Sequence, residues 1–229
     1  MQITHHGHSV VQIVTESGIR LIIDPFINDN PFCQLTPEQL EIDVILITHA
    51  HSDHFGDTLE LAKQNDALVI TVLELADYLE NQGIRVHGMQ PGGSHPFDFG
   101  KVTLTQAIHG SSLWIDEKPY TFGLATGIIL EIENQTLYHL GDTALFSDLS
   151  LYGKLYDIDL AFIPIGDNYT MGPEHAKLAA QWLQAKKVIP IHYDTFPLIE
   201  QDPKAFIDSL DKDQGFIPTF GESFDLNDL

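Results

Sequence analysis

Short apolar runs bounded by turn-forming residues recur along the chain, with stretches of helical spacing between them. Residues 10–15 and 20–23 alternate as half-buried strands do, with a turn at Ser17-Gly18 between them and a stop at Asp24-Pro25. Thr36-Pro37-Glu38 has the form of a helix start, a threonine N-cap followed by proline at the first helical position. Residues 44–47 are a continuous apolar run, 58–65 a helix, 68–72 a strand, and 74–81 a helix closed by Gly83. A strand is expected over 102–107, a pair of strands over 122–133 and 136–140 joined at Asn134-Gln135, and a further strand over 160–165. Residues 173–185 have helical spacing with Leu178, Trp182 and Leu183 on the apolar face, 187–191 form a strand, and 205–210 a last helix. No linker, low-complexity tract or short repeat interrupts the alternation, so residues 1–229 read as a single α/β domain.

Four of the strands end in the same way, each delivering a residue able to hold a metal. His49 follows 44–47, His109 follows 102–107, Asp142 follows 136–140, and His192 follows 187–191. Strand ends along one sheet edge can converge on a single site, where α/β enzymes commonly bind ligands. The stretch Thr48-His49-Ala50-His51-Ser52-Asp53-His54 concentrates the chemistry further. In an extended segment alternate residues point the same way, which pairs His49 with His51. Asp53 and His54 open the next turn and can face a second ion. Each ion needs ligands from elsewhere, and His109, Asp142 and His192 can supply them. A carboxylate has two oxygens and can bridge two cations, which makes Asp142 the natural bridge. Imidazole together with carboxylate suits zinc, manganese or iron rather than calcium or magnesium.

Charge narrows the expected partners. Eleven Lys and Arg against 33 Asp and Glu give a net charge of −22. A field of that sign repels phosphate backbones and anionic lipid, so neither nucleic acid nor membrane is an expected partner. Most of the acidic residues read as a solubilising surface. Cys33 is the only cysteine, which rules out an intrachain disulfide and fits a reducing compartment. The start Met1-Gln2-Ile3-Thr4-His5 carries no basic-then-apolar leader, and no apolar run approaches the roughly 20 residues of a membrane span. A cytoplasmic protein is therefore expected.

The complete His-x-His-x-Asp-His motif at His49, His51, Asp53 and His54, followed in order by His109, Asp142 and His192, resembles the metallo-β-lactamase superfamily over the whole chain. Gly7-His8-Ser9, Asp24-Pro25, Pro164-Ile165-Gly166-Asp167-Asn168, Met171-Gly172-Pro173-Glu174 and His192-Tyr193-Asp194-Thr195-Phe196-Pro197 resemble one family of metal-dependent hydrolases within it, similar to the L-ascorbate phosphate lactonase branch. The chain departs from that family at His175, where an acidic residue is common; the position opens a helix, and the change falls on the surface. The resemblance implies a four-layer αββα sandwich with a dinuclear site between the sheets. It implies His49, His51 and His109 on one ion, Asp53, His54 and His192 on the other, and Asp142 between them.

Two divalent ions, zinc or manganese, then imply a hydrolase that activates water against a small-molecule ester, lactone or phosphoester. Asp53 is the residue expected to handle the proton. Asp24 is a candidate to accept the free N–H of a ligand histidine, and His8, Asn168 and Thr195 are candidate pocket residues. His5, His6, His87, His95, His139 and His175 read as non-ligands, with His139 packed or supporting the site. Trp114 reads either as a loop aromatic or as core packing. Two other functions share the fold. A phosphodiesterase or nuclease is disfavoured by the charge and by a chain too short for the nuclease branch's inserted domain. A di-iron redox protein needs a flavin domain that would have to come from a partner. A homo-oligomer is compatible with such a family.

Overall fold

The computed structural model describes residues 1–229. Its strands in chain order are β1 (Gln2–His5), β2 (Val11–Val14), β3 (Arg20–Ile23), β4 (Val44–Leu46), β5 (Leu68–Val72), β6 (Val86–Met89), β7 (Ser94–Phe97), β8 (Gly100–Gln106), β9 (Ser112–Ile115), β10 (Lys118–Thr121), β11 (Thr126–Ile132), β12 (Gln135–His139), β13 (Leu160–Pro164), β14 (Lys187–Ile191) and β15 (Ser223–Phe224). The helices are α1 (Ser52–Phe55), α2 (Thr58–Asn65), α3 (Leu73–Glu80), α4 (Leu149–Leu155), α5 (Pro173–Leu183) and α6 (Pro203–Asp208). One sheet has seven strands in the order β15-β1-β2-β3-β4-β5-β6, a second has six in the order β14-β13-β12-β11-β8-β7, and β9 and β10 form a separate ribbon.

Period-two alternation explains the layers. Leu21 and Ile23 of β3 enter an apolar cluster shared with Ile128, Leu130 and Ile132 of β11, and so lie between the sheets. Ile22, between them in sequence, turns to the other face and packs with Leu61 of α2 and Leu75 and Leu79 of α3. In the second sheet Phe162 faces inward, while Ala161 and Ile163 face Leu149 of α4 and Ala176, Ala179, Ala180 and Leu183 of α5. Strands buried on both faces lose visible polar alternation, which is why these segments appear as continuous apolar runs. The result is helix, sheet, sheet, helix, as the resemblance implied.

The direction of the strands places the site. β1 and β3 are both antiparallel to β2, and β3 is parallel to β4. Their C-terminal ends therefore share one edge of the first sheet. β8 and β12 are both antiparallel to β11, and β12, β13 and β14 are mutually parallel. Their C-terminal ends share one edge of the second. Backbone bonds from Thr126 N to Thr48 O at 3.0 Å and from His192 N to His8 O at 2.9 Å tie these two edges together.

Several expectations are corrected. Pro37–Gln39 makes a single 3-10 turn; its capping box forms, but Leu40 and Ile42 already turn inward to the core. The strand expected from residue 122 begins only at Thr126, because Gly123 takes φ of +67°. The hairpin turn falls on Glu133-Asn134, both at positive φ, with Gln135 already in β12. On α5 the buried stripe is Ala176, Ala179, Ala180 and Leu183; Leu178 and Trp182 sit at its half-buried margins. Trp114 is 70% exposed on the β9–β10 ribbon and takes no part in a core.

Phe162 is fully buried between the sheets. Phe162→Ala is expected to cost about 3–5 kcal/mol, a large share of a typical stability of roughly 5–15 kcal/mol. Urea denaturation measures it; a loss under about 1 kcal/mol would mean that this layer is not the core described.

Candidate metal centre

The cluster residues owe their directions to a change of backbone at His51. β4 ends at Leu46, residues 47–50 form a loop with a bend at Thr48, and His51 is the N-cap of α1, its carbonyl accepting from His54 N at 3.0 Å and Phe55 N at 2.8 Å. That single helical turn rotates Asp53 and His54 away from the face that His49 and His51 share. Gly56 ends it at φ +41°; a Cβ there would run into the Pro25 carbonyl and the Phe26 backbone. The close approach brings α1 against the corner that carries Asp24.

Two groups of side chains result. In the first, His49 Nε2 and His109 Nε2 lie 3.0 and 3.2 Å from His51 Nδ1. In the second, His8, Asp53, His54 and His192 bring one ligand atom each within 4.8 Å of one another. Asp142 stands between them. Its Oδ1 is 3.2 Å from His54 Nε2, and its Oδ2 is 2.9 Å from His192 Nε2 and 3.5 Å from His109 Nε2. The preceding Gly141 is required at φ +61°, where a Cβ would sit 2.6 Å from the Thr126 carbonyl oxygen.

Buried partners fix the ring tautomers. Asp24, fully buried, accepts from Thr48 N at 2.8 Å, from the Thr48 hydroxyl at 2.7 Å and from His54 Nδ1–H at 2.7 Å. Because the Thr48 hydroxyl donates to Asp24, its lone pair accepts from His49 Nδ1–H at 3.0 Å. Both rings therefore turn an unprotonated Nε2 toward the centre when neutral. His139 works from behind: its Nε2–H donates to the Ser9 carbonyl at 2.9 Å, and its Nδ1 accepts from Gly141 N at 3.1 Å. His8 Nε2–H donates to Asp53 Oδ2 at 3.1 Å, leaving its Nδ1 to accept from the Thr195 hydroxyl at 2.8 Å. His8 is thereby the one imidazole of the second group satisfied by protein partners, and it fixes the Asp53 carboxylate.

The donor set passes a test of fit to metal ions. His54 Nε2, His192 Nε2 and Asp142 Oδ1 are buried and close together, yet none forms a hydrogen bond. Buried polar atoms rarely go unpartnered, and lone pairs directed at a common point make poor hydrogen bonds but good ligands. Imidazole nitrogen with carboxylate oxygen is the chemistry of zinc, manganese and iron sites. The charges agree. Burial pushes His49, His51 and His109 below the usual imidazole range. Burial is also the largest single influence on His54 and His192, but Asp142, Asp24 and Asp53 together outweigh it at His54, and Asp142 with Asp53 at His192, so both are raised, His192 to about 9. Against burial, His192 and His54 hold Asp142 well below the usual carboxylate range, and His54, His192 and His8 do the same for Asp53.

All seven residues expected as ligands meet here, as do Asp24, His8 and Thr195. Asn168 does not; it is exposed, and the adjacent Tyr169 lines the cleft instead. Sequence reasoning missed Thr48, which relays Asp24 to His49; Gly110-Ser111-Ser112 reads from sequence as a loop that could shape the pocket, and there the Ser111 hydroxyl accepts from Ala50 N at 3.2 Å and donates to the Phe122 carbonyl at 3.0 Å. Sequence reasoning also missed Phe26 and Tyr169 as walls. Nothing in an isolated threonine or aromatic marks such a role.

Fold and site together define the class. The family model described as the beta-lactamase superfamily domain matches residues 19–193. A UPF0173 metal-dependent hydrolase of Bacillus velezensis is 56% identical over 99% of this chain and the whole of its own, and YtkL of Bacillus subtilis, of the same description, is 55% identical over the same spans. Among solved structures, the metallo hydrolase Igni18 of Ignicoccus hospitalis superposes with a TM-score of 0.88 at 33% identity, covering 98% of each chain. The chain belongs to the UPF0173 metal-dependent hydrolases, a family within the β-lactamase superfamily.

A metal bound at this centre would have to displace the protons that the surrounding carboxylate charges favour on His54 and His192. The His192 pKa is raised from 6.5 to about 9, so the metal-free ring keeps its proton at neutral pH and loses it as pH rises through 9. Metal uptake is therefore expected to release protons at pH 7, and apparent affinity is expected to climb between pH 6.5 and 9. Calorimetric titration of the metal-free protein in buffers of different ionisation enthalpy checks this; heats independent of buffer would contradict it.

Proposed function

We propose that this chain is a dinuclear metal-dependent hydrolase that attacks a small-molecule ester, lactone or phosphoester with activated water. The observation that supports it most is the position of Asp142, whose Oδ1 and Oδ2 lie 3.2 and 2.9 Å from His54 and His192 of one group while Oδ2 also lies 3.5 Å from His109 of the other. Two divalent ions, zinc or manganese, would supply Lewis acidity there, making water a nucleophile near neutral pH and polarising the substrate. His49, His51 and His109 would hold one, Asp53, His54 and His192 the other, with Asp142 shared.

The remaining chemistry belongs to the chain. Asp53 is buried on one side and open to the cleft on the other, so one carboxylate edge can orient the attacking water and accept its proton. His8 keeps that carboxylate from rotating, through a neutral Nε2–H donor. Asp24 and Thr48 keep His54 and His49 in the ligating tautomer without lending a proton. Phe196 and Tyr169 border the metal cavity and limit water access.

No helix of the protein is long and apolar enough to cross a membrane. With a charge of −22 this supports a small diffusible substrate and a cytoplasmic setting, and it disfavours a polynucleotide.

Chelation is expected to abolish turnover of whichever class in a panel of lactones, esters and phosphodiesters is hydrolysed, and zinc or manganese to restore it. Asp53→Ala is expected to lower kcat by about 10²–10⁴-fold. Asp142→Ala is expected to lower the bound metal from about two ions per chain, measured by elemental analysis. Full turnover by the Asp53 variant, or unchanged metal content in the Asp142 variant, would overturn the assignment of roles.

A further inference from the structure

Three cavities meet at Asp53 and Tyr169. The smallest holds the metal-facing atoms and is lined by His51, His109, Asp142 and His192. A second recess runs under the β9–β10 ribbon, past Ser112, Leu113 and Trp114. The largest, a cleft of about 750 Å³, opens from Asp53 along Phe26, Phe196, Pro197 and Leu198. That volume is in the range of small-molecule sites, far more than a water or a bare reacting group needs.

The side chains of the large cleft restrict what can fill it. Phe26 and Phe196 are in contact, ring centroids 6.4 Å apart, and make one wall. Leu198, 62% exposed, and Tyr169, 51% exposed, stand at the mouth with apolar surface facing water. Exposed apolar groups concentrated beside a polar centre mark a place where apolar ligand surface is buried. No Lys or Arg lines any of the three cavities. The charged residues of the large cleft are Asp29, Asp53 and Asp57, and Asp57 is committed to the loop, accepting from Ile27 N, Asn28 N and Asn28 Nδ2 at 2.7–3.0 Å. An anionic group lying away from the reacting atoms would meet carboxylates and no cation, in a protein already at −22.

We propose that the substrate is an uncharged carboxylic ester or lactone whose apolar arm lies along Phe26, Phe196 and Leu198, and not a phosphoester or a compound with an anionic tail. This rests on the hydrolase reading of the same centre and narrows it to one class. The reaction is a plain hydrolysis. The water oxygen bonds to the carbonyl carbon, the bond to the alkoxy oxygen breaks, and the alcohol, tethered in the case of a lactone, leaves with a proton. No oxidant or reductant is consumed. The arm takes up the apolar surface of the cleft and shields the centre from solvent, so its binding is coupled to the chemical step.

The test uses metal-loaded full-length protein and 4-nitrophenyl esters from acetate to octanoate, beside esters of matched length ending in a carboxylate or a trimethylammonium group, and bis(4-nitrophenyl) phosphate. kcat/KM is expected to rise about fourfold per methylene along the neutral series, the factor that corresponds to ~0.8 kcal/mol per buried CH₂. The neutral long-chain ester is expected to exceed both charged ones and the phosphodiester. Leu198→Lys, at an exposed position, is expected to move the ratio of carboxylate-ended to neutral ester by about tenfold toward the anion. Rates flat with chain length, a preference for a charged arm or for the phosphodiester, or an unmoved ratio in the Leu198 variant would overturn the proposal while leaving the hydrolase intact. Protein that holds metal and hydrolyses no ester would overturn it together with that reading of its chemistry.

Discussion

The site depends on one buried carboxylate. Asp24 is withdrawn from solvent and spends its oxygens on the backbone and hydroxyl of Thr48 and on the ring of His54. An unpaired charge in such a place would be very costly, and its full satisfaction is what makes the position tolerable. The same three bonds fasten the end of β3 to the end of β4 and to α1. Through Thr48 they also reach His49. One residue thus sets the orientation of an imidazole in each of the two ligand groups, and it does so without itself facing the centre.

Around that anchor the fold gathers charge of both signs. Asp142, Asp24 and Asp53 favour a protonated His54, and Asp142 and Asp53 a protonated His192; a divalent ion bound there would replace those protons in the same field. The backbone is bent to allow this. His8, Asp24 and His192 all take positive φ, a conformation that costs of order 1–3 kcal/mol per non-glycine residue. Asp24 and His192 directly follow the C-terminal ends of β3 and β14, and His8 lies in the turn between β1 and β2. The four bonded layers beneath supply the stability against which this strain is set. The cleft beyond the centre is different in character: aromatic, acidic and free of cations, it distinguishes substrates by what lies away from the reacting atoms.

The chemistry was more legible in the sequence than the architecture. The residues proposed as ligands, His49, His51, Asp53, His54, His109, Asp142 and His192, are visible by residue type and by their clustering at or after the ends of apolar runs. Strands buried on both faces, such as β4, β5 and β14, were also plain. The segments that escaped notice carry weak patterns for physical reasons. β7 contains Pro96, tolerated because it is the edge of its sheet. β6 contains Gly88, where a Cβ would come within 2.8 Å of Leu73. β9 and β10 form a largely exposed ribbon that packs on the core only through the half-buried Leu113 of β9. α4 carries Gly153 mid-helix, which reads as a breaker until its contact with the backbone of Trp182 and Leu183 on α5 is seen. The cleft walls were illegible altogether, since Phe26, Tyr169 and Phe196 are brought together from three separate loops.

The claim on which the account rests is that two ions flank Asp142. Anomalous diffraction from crystals of metal-reconstituted protein, recorded on both sides of the metal absorption edge, tests it directly. The account predicts two peaks, one against His49, His51 and His109 and the other against Asp53, His54 and His192, with Asp142 touching both. A single peak at full occupancy, or two peaks with Asp142 turned away from either, would contradict it.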